Sequence, residues 1–220
     1  MPASDAGRPG EAVRIGPVGL EGVLVPPAPG RGLVLFAHGS GSGRLSPRNN
    51  LVARELGRAG LGTLLFDLLT PGEEADRRNV FDIDLLARRL LLATAWLRER
   101  EGTREVPVGY FGASTGAAAA LVAETHATPP VGAVVSRGGR PDLARERLHH
   151  VRAPVLLIVG SLDGQVLELN RQALAVLPGE KRLAVVEGAG HLFEEPGTLE
   201  RVVELTRAWF AAYVSAGEAP

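Results

Sequence analysis

The 220-residue chain combines 45% hydrophobic residues with a formal net charge of −1 and contains no cysteine. Its length and apolar content suit one domain with a sizeable core, while the near-zero charge gives no general attraction to nucleic acid or to an anionic membrane. Because cysteine is absent, disulfides, a thiolate nucleophile and cysteine metal sites are excluded.

The first part of the chain predicts a loose tail and then an edge hairpin. Residues 1–12 are mostly polar or small and lack the charged segment followed by an apolar one that marks a secretory signal. No apolar run approaches the roughly 20 residues of a membrane span, so we expect a cytoplasmic protein whose residues 13–220 form a single domain. Residues 13–25 alternate around three glycines, which favours a short antiparallel hairpin at a sheet edge.

An apolar run at 33–37 leads into a glycine-rich loop at 38–43, with the sequence HGSGSG. The run has the length and continuity of a strand covered on both faces. The loop lacks the Gly-Lys-Ser/Thr ending of a P-loop and the spacing of a dinucleotide-binding turn, so a nucleotide site is a weak alternative, as is a plain flexible turn. The position after a strand favours an oxyanion loop that donates the backbone N–H of Ser40 and is anchored by His38.

Strands and helices then alternate to the end of the chain. Such alternation is typical of right-handed βαβ units and of an α/β fold with a mostly parallel sheet flanked by helices. Apolar runs predict strands at 61–66, 106–111, 131–136, 154–160 and 182–187. Helical periodicity and punctuation by glycine and proline predict helices at 46–59, 80–100, 114–126, 142–150, 165–177 and 196–215.

The sequence Gly-Ala-Ser-Thr-Gly at 112–116 stands between a predicted strand and an alanine-rich predicted helix. A serine on such a sharp turn exposes its hydroxyl, and the flanking glycines let strand and helix approach closely. Ser114 is therefore the candidate nucleophile. The backbone N–H of Thr115, at the start of the helix, is a candidate oxyanion donor. A tight strand–helix connection without chemistry is the alternative.

Chemistry in an open α/β sheet lies outside the carboxyl ends of the strands, and this rule selects a base and an acid. His191 follows the last predicted strand on a glycine-containing loop, which makes it the candidate base. Asp163 follows the strand before it and is the candidate acid. Asp142 also follows a strand, but it stands where a helix cap is expected. With Ser114, the chain order Ser, Asp, His is that of α/β-hydrolases.

Together these motifs resemble those of the α/β-hydrolase superfamily and, within it, of the dienelactone-hydrolase-like family. The resemblance covers residues 13–214 and is carried by the 38–43 loop, the elbow around Ser114, the Asp163 turn and the glycine before His191. It implies an eight-stranded sheet with an antiparallel second strand, and hydrolysis of esters or lactones through an acyl-enzyme, with no metal and no organic cofactor. Dienelactone hydrolases proper use a cysteine nucleophile, and this chain departs from them by its serine. Similar sequences also occur joined to phosphoribosyltransferase-like domains, which implies a functional link to such a protein.

The size and charge of the predicted site bear on the substrate. Residues 137–153 are all that separates two predicted strands, which leaves no room for a lid domain and favours a short acyl group. Arg137 and Arg140 leave a strand at the active edge and could bind a substrate carboxylate or phosphate; solvated arginines, or a pair with Asp142, are the alternative. We expect a serine hydrolase of short-chain carboxylic esters or lactones. A thioesterase, amidase or perhydrolase, or a non-catalytic binding module, remains an alternative on the same residues.

Overall fold

The computed structural model of the protein describes residues 10–215. In that range the chain forms eight strands, seven α-helices and a 3₁₀ segment, Pro141–His150. The strands are β1 Glu11–Ile15, β2 Leu20–Val25, β3 Leu33–Ala37, β4 Gly62–Phe66, β5 Val108–Ala113, β6 Ala133–Arg137, β7 Val155–Gly160 and β8 Lys181–Val186. The helices are α1 Pro47–Arg58, α2 Pro71–Glu74, α3 Arg77–Val80, α4 Ile83–Glu99, α5 Thr115–Glu124, α6 Gly164–Val176 and α7 Thr198–Tyr213.

The eight strands form one sheet in the order β1-β2-β4-β3-β5-β6-β7-β8. β1 and β2 form an antiparallel hairpin, and β2 also runs antiparallel to β4, whereas every later pairing is parallel. The predicted sheet, with its antiparallel second strand, is therefore confirmed. β3 to β7 are buried along their whole length, as expected for strands covered by helices on both faces.

Two apolar clusters cover the two faces of the sheet. One face packs against α4 and α5, where Leu90 and Leu121 are fully buried. The other packs against α1 and α7, where Leu56 and Phe210 are fully buried. Burial of one such side chain contributes about 1.5–3 kcal/mol. All ten residues of the alanine-rich α5 are buried, so this helix lies against the sheet and its first turn is held at a fixed place.

The segment between β4 and α4 differs from its prediction. The sequence predicted a loop at 67–72 and a helix from residue 80, but the chain forms the two single-turn helices α2 and α3 and begins α4 at Ile83. Local caps explain the difference. Thr70 and Glu73 form a capping box on α2, Asp76 accepts the N–H of Arg78, and Asp82 accepts the N–H of Leu85.

Two other boundaries are corrected by the structure. β1 begins at Glu11, so the predicted tail of residues 1–12 extends too far, and its residues 1–9 lie outside the described part of the chain. The helix predicted at 142–150 is a 3₁₀ segment interrupted at Arg145, where φ is 51° and ψ is −133°. Because these dihedral angles are not helical, the segment cannot be a continuous α-helix.

The connection from β6 to β7 bears on access to the site. Residues 138–154 contain one element of regular structure, the 3₁₀ segment, so no lid domain interrupts the sheet at this point.

The longest α-helix, α4, has 17 residues and one apolar face. Across residues 10–215, the structure contains no helix with the length and apolar character that spanning a membrane requires.

Candidate active site

Ser114 lies between β5 and α5 with φ 51° and ψ −120°. This left-handed backbone conformation is unfavourable for a residue with a side chain, by about 1–3 kcal/mol, and is held by the surrounding structure. The glycines on either side are required by close approach. A Cβ at Gly112 would collide with the backbone of Ala117, and one at Gly116 would collide with the carbonyl oxygen of Ala37. The strained turn predicted from the glycine spacing is present.

Two backbone hydrogen bonds connect the Ser114 turn to the end of β6 and to the loop that follows it. The backbone N–H of Ser114 donates to the carbonyl oxygen of Arg137 at 3.2 Å, and the N–H of Arg140 donates to the carbonyl oxygen of Ser114 at 3.1 Å. Thr115 is the first residue of α5, so its N–H has no acceptor within the helix. The positive end of the helix dipole is therefore next to the Ser114 hydroxyl.

The loop after β3 is held by hydrogen bonds within the protein. The N–H of Leu68 donates to Nε2 of His38 at 3.0 Å, so the proton of this imidazole is on Nδ1, which donates to the carbonyl oxygen of Gly39 at 3.0 Å. Burial lowers the pKa of His38, and the Gly39 hydrogen bond opposes this shift. The predicted anchoring role of His38 agrees with these contacts.

The Ser40 N–H, predicted as the second oxyanion donor, already has an acceptor. It donates to the hydroxyl oxygen of Thr115 at 3.0 Å. Two further amides of the loop region, those of Ser42 and Arg44, donate to Gly39 and Asp67. A phosphate cradle needs such amides to be free and convergent, so these contacts disfavour the nucleotide alternative. To act as an oxyanion donor, the backbone N–H of Ser40 would have to form a bifurcated hydrogen bond, with the Thr115 hydroxyl as one of its two acceptors.

Arg44 is a positioning residue that sequence reasoning missed. Its backbone N–H donates to Oδ1 of Asp67 at 2.7 Å, and its guanidinium pairs with both Asp67 and Glu21. These contacts tie the end of the glycine-rich loop to the end of β4. The available signal was the position of Asp67 directly after the buried strand β4.

His191 and Asp163 come together at the carboxyl edge of the sheet, on the loops after β8 and β7. Nδ1 of His191 is 2.6 Å from Oδ2 of Asp163, and the Asp163 side chain is 15% exposed against 40% for His191. Asp163 stands at the N-cap position of α6, yet its carboxylate makes no capping bond and is free to bind the imidazole. Because Nδ1 faces the carboxylate, Nε2 is the nitrogen left for chemistry.

Ser114 and His191 line one open cleft of about 720 Å³, together with Ser40 and Arg137. None of the hydrogen bonds found within residues 10–215 joins the Ser114 hydroxyl to His191. Such contacts are often long before substrate binds and tighten in the complex. The same described range contains no group of three or more histidine, aspartate or glutamate side chains placed to bind a metal ion.

The two arginines predicted to bind substrate have different surroundings. Arg140 forms a bidentate ion pair with Asp142, with an Nε–Oδ1 distance of 2.8 Å and an Nη2–Oδ2 distance of 2.7 Å. It does not line the cleft. This pair favours the alternative expected for Arg140, an ion pair with Asp142, over the binding of a substrate anion. Asp142, which was expected to cap a helix, is instead the second residue of the 3₁₀ segment, whose N-cap residue is Arg140. Arg137, in contrast, lines the cleft and is 8% exposed.

Comparisons with known proteins were consistent with this geometry. No protein-family model matches the chain. A solved structure of a dienelactone hydrolase from Anabaena variabilis ATCC 29413 has a TM-score of 0.89 and 54% identity, covering 93% of this chain and 97% of that one. The esterase domain of a Rhodothermus marinus protein has a TM-score of 0.71 at 19% identity, covering 94% and 98%, and shares the fold.

A longer relative comes from Mycobacterium tuberculosis (strain ATCC 25618 / H37Rv), where it is called a putative phosphoribosyl transferase. It is 61% identical over 195 residues, which are 89% of this chain and 44% of that protein. The chain therefore spans less than half the length of this curated relative.

The sheet topology, the strained elbow at its carboxyl edge and the solved relatives define an α/β-hydrolase fold. The 54% identity extends over nearly the whole of the Anabaena protein. The chain belongs to the dienelactone hydrolase family.

Proposed function

We propose that the protein is a serine hydrolase that cleaves short-chain carboxylic esters or lactones through an acyl-serine intermediate. The observation that carries this proposal is the strained Ser114 elbow in one cleft with a His191–Asp163 pair whose Nδ1–Oδ2 distance is 2.6 Å. The strained turn places the half-buried Ser114 in the open cleft, and the pair supplies a base with a fixed orientation.

In the first half of the reaction, Nε2 of His191 takes the proton of the Ser114 hydroxyl as its oxygen attacks the ester carbonyl carbon. Asp163 holds the imidazole by Nδ1 and stabilises its charged form. Collapse of the tetrahedral intermediate breaks the bond to the leaving alkoxide, which receives the proton from His191. The products of this half are the alcohol and the acyl-serine.

In the second half, water replaces the alcohol. His191 takes a proton from the water, the resulting hydroxide attacks the acyl carbon, and the bond to Ser114 breaks as the serine oxygen regains a proton. A lactone follows the same steps and gives one hydroxy acid, because its acyl and alcohol parts remain joined. No oxidant, metal or organic cofactor enters this balance.

The developing negative charge falls on the carbonyl oxygen, and the Thr115 N–H at the start of α5 is its proposed donor. One such donor is worth about 3 kcal/mol in comparable sites. The Ser40 N–H is the proposed second donor, sharing its proton with the Thr115 hydroxyl it now contacts.

The short acyl group follows from the open cleft and from the brief connection between β6 and β7. A p-nitrophenyl ester series from acetate to palmitate tests this directly. Acetate and butyrate should be turned over at least tenfold faster, in kcat/KM, than palmitate, and Ser114→Ala should abolish all of these activities. A preference for long chains, or full activity of the alanine variant, would overturn the proposal.

The relative called a putative phosphoribosyl transferase supports a second, coarser proposal about partners. Because 61% identity covers 195 residues but only 44% of that protein, we propose a functional link between this chain and a phosphoribosyltransferase-like protein. A cytoplasmic location is proposed along with it. Co-purification of the two proteins from a cytosolic fraction would support both, and recovery of the hydrolase outside that fraction would contradict the location.

A further inference from the structure

Arg137 is a buried cation without a partner. It is the last residue of β6, it is 8% exposed, and its Nε and one terminal nitrogen are buried without a hydrogen bond. Burial and, to a smaller extent, the positive charge of Arg48 together lower the pKa of Arg137 to about 10. A guanidinium at this pKa is still protonated at neutral pH. An unpaired buried charge is unfavourable, and an anionic ligand that paired with this guanidinium would remove that cost.

The nearby carboxylates are engaged elsewhere. Asp163 binds His191, Asp142 binds Arg140, and Glu194 binds Arg48 at 3.0 Å. Within residues 10–215, Arg137 makes no ion pair. Of the carboxylates that line the cleft with Arg137, Asp67 pairs with Arg44, and neither Asp67 nor Glu74 forms an ion pair with Arg137.

Arg48 adds a second cationic group to the same place. It lines the cleft with Arg137 and Ser114, and its Nε is also buried without a partner. Glu194 contacts only Nη1 of Arg48, so the two guanidinium groups together still carry excess positive charge. Like charges held this close repel each other, and an anion bound between or beside them would relieve the repulsion.

Arg137 lies next to the proposed nucleophile, Ser114. Its carbonyl oxygen accepts the backbone N–H of Ser114 at 3.2 Å, so the arginine is attached directly beside the nucleophile. A guanidinium binds carboxylate or phosphate oxygens through two parallel N–H donors. Both unpartnered nitrogens of Arg137 are donors.

We propose that Arg137, assisted by Arg48, is a specificity-determining residue that binds an anionic group, a carboxylate or a phosphate, on the ester or lactone that Ser114 attacks. This inference rests on the proposed serine hydrolase function and narrows its substrate class. Neutral esters are then poor substitutes for the natural substrate, because they leave both arginines unpaired in the complex.

A matched pair of esters tests the proposal. Mono-p-nitrophenyl glutarate and p-nitrophenyl valerate have acyl chains of equal length and differ in one terminal carboxylate. We expect the wild-type kcat/KM for the glutarate to exceed that for the valerate by tenfold or more. Arg137→Met should reduce this ratio at least tenfold, and Arg137→Lys should restore part of it because the charge returns without the planar fork.

Arg140→Met is the matched control variant, since Arg140 belongs to the same loop but is paired with Asp142 and lies outside the cleft. Its glutarate-to-valerate ratio should equal that of the wild type. An equal fall in the Arg140 variant would mean that loss of surface charge, rather than loss of the buried site, causes the effect, and would overturn the assignment.

Inhibition of the wild-type enzyme keeps the proposal testable if Arg137→Met does not fold. Glutarate and inorganic phosphate are compared with neutral glutaramide as inhibitors of valerate turnover at constant ionic strength. Competitive inhibition by glutarate alone assigns a carboxylate, and inhibition by phosphate alone assigns a phosphate. If neither anion inhibits and the wild type has no preference for the charged ester, the proposal is wrong, although turnover of valerate would leave the serine hydrolase function intact.

Discussion

The loops after β6 and β7 offer the same element, an aspartate just beyond a parallel strand at the active edge, and use it differently. Asp142 in the first loop is taken by Arg140, two residues earlier. Asp163 in the second has no such neighbour, makes no helix cap, and binds His191 at 2.6 Å. The difference shows that position after a strand selects several candidates, and that the absence of a competing local partner decides among them.

Loss of the Asp163 carboxylate should have the largest effect. Asp163→Asn removes the charge that orients His191 and stabilises its protonated form, so we expect kcat to fall by about 10⁴-fold, as in the best-known serine triad. Steady-state turnover of p-nitrophenyl butyrate measures this, with circular dichroism as a check of folding. A folded variant that loses less than tenfold would remove the distinction between the two loops.

Asn170 connects the two loops and should have the next largest effect. It lies on α6, directly after the Asp163 loop, and its side-chain amide donates to the carbonyl oxygen of Gly139 at 2.9 Å. Asn170→Ala leaves that buried oxygen without this partner, which should lower the free energy of unfolding by about 1–3 kcal/mol. Denaturant unfolding measures the loss. A loss below about 0.5 kcal/mol in the free energy of unfolding would mean that the two loops are held independently.

Loss of the Asp142 carboxylate should matter much less. Asp142→Asn weakens a partly exposed ion pair with Arg140, so we expect a loss of about 0.2–1 kcal/mol in the free energy of unfolding and nearly unchanged kcat. The same ester assay and denaturant series apply. If this variant were inactive and Asp163→Asn active, the acid of the triad would be Asp142.

The loop after β3 also contains a histidine, His38, whose imidazole is hydrogen-bonded to backbone groups rather than to a carboxylate. Burial lowers the pKa of His38, so the unfolded chain binds a proton at higher pH than the folded protein does. The stability that this histidine contributes is therefore complete above about pH 6.5 and decreases as pH falls below that value. Denaturant unfolding between pH 7.5 and 5.5 should show this decrease, and His38→Gln should show a smaller slope. An equal slope in the variant would assign the effect to other groups.

Much of this site could be predicted because its signals are local. The glycines at 112 and 116 are required by the close contacts of a sharp strand–helix turn. Their spacing around Ser114, between an apolar run and an alanine-rich run, is visible in the sequence. The alternation of strands and helices likewise gave the parallel sheet. Asp163 and His191 follow from the rule that chemistry lies beyond the carboxyl ends of strands.

The features that the sequence did not reveal depend on competition between partners in space. The pairing of Arg140 with Asp142 and of the Ser40 N–H with the Thr115 hydroxyl is decided by which acceptor comes closest in the folded chain. The burial of Arg137 depends on packing around β6, and a strand-end arginine is usually solvated. The break at Arg145 has no glycine or proline to mark it.

In the proposed mechanism, Ser114 is a nucleophile activated by the His191–Asp163 pair. The most direct test of this mechanism is intact-mass measurement of the rate at which a fluorophosphonate modifies the wild type, Ser114→Ala and Asp163→Asn, all with folding verified by circular dichroism. This mechanism predicts one adduct on the wild type, none on Ser114→Ala, and a labelling rate for Asp163→Asn that is reduced by orders of magnitude. Labelling of Ser114→Ala at the wild-type rate, or of Asp163→Asn as fast as the wild type, would contradict it.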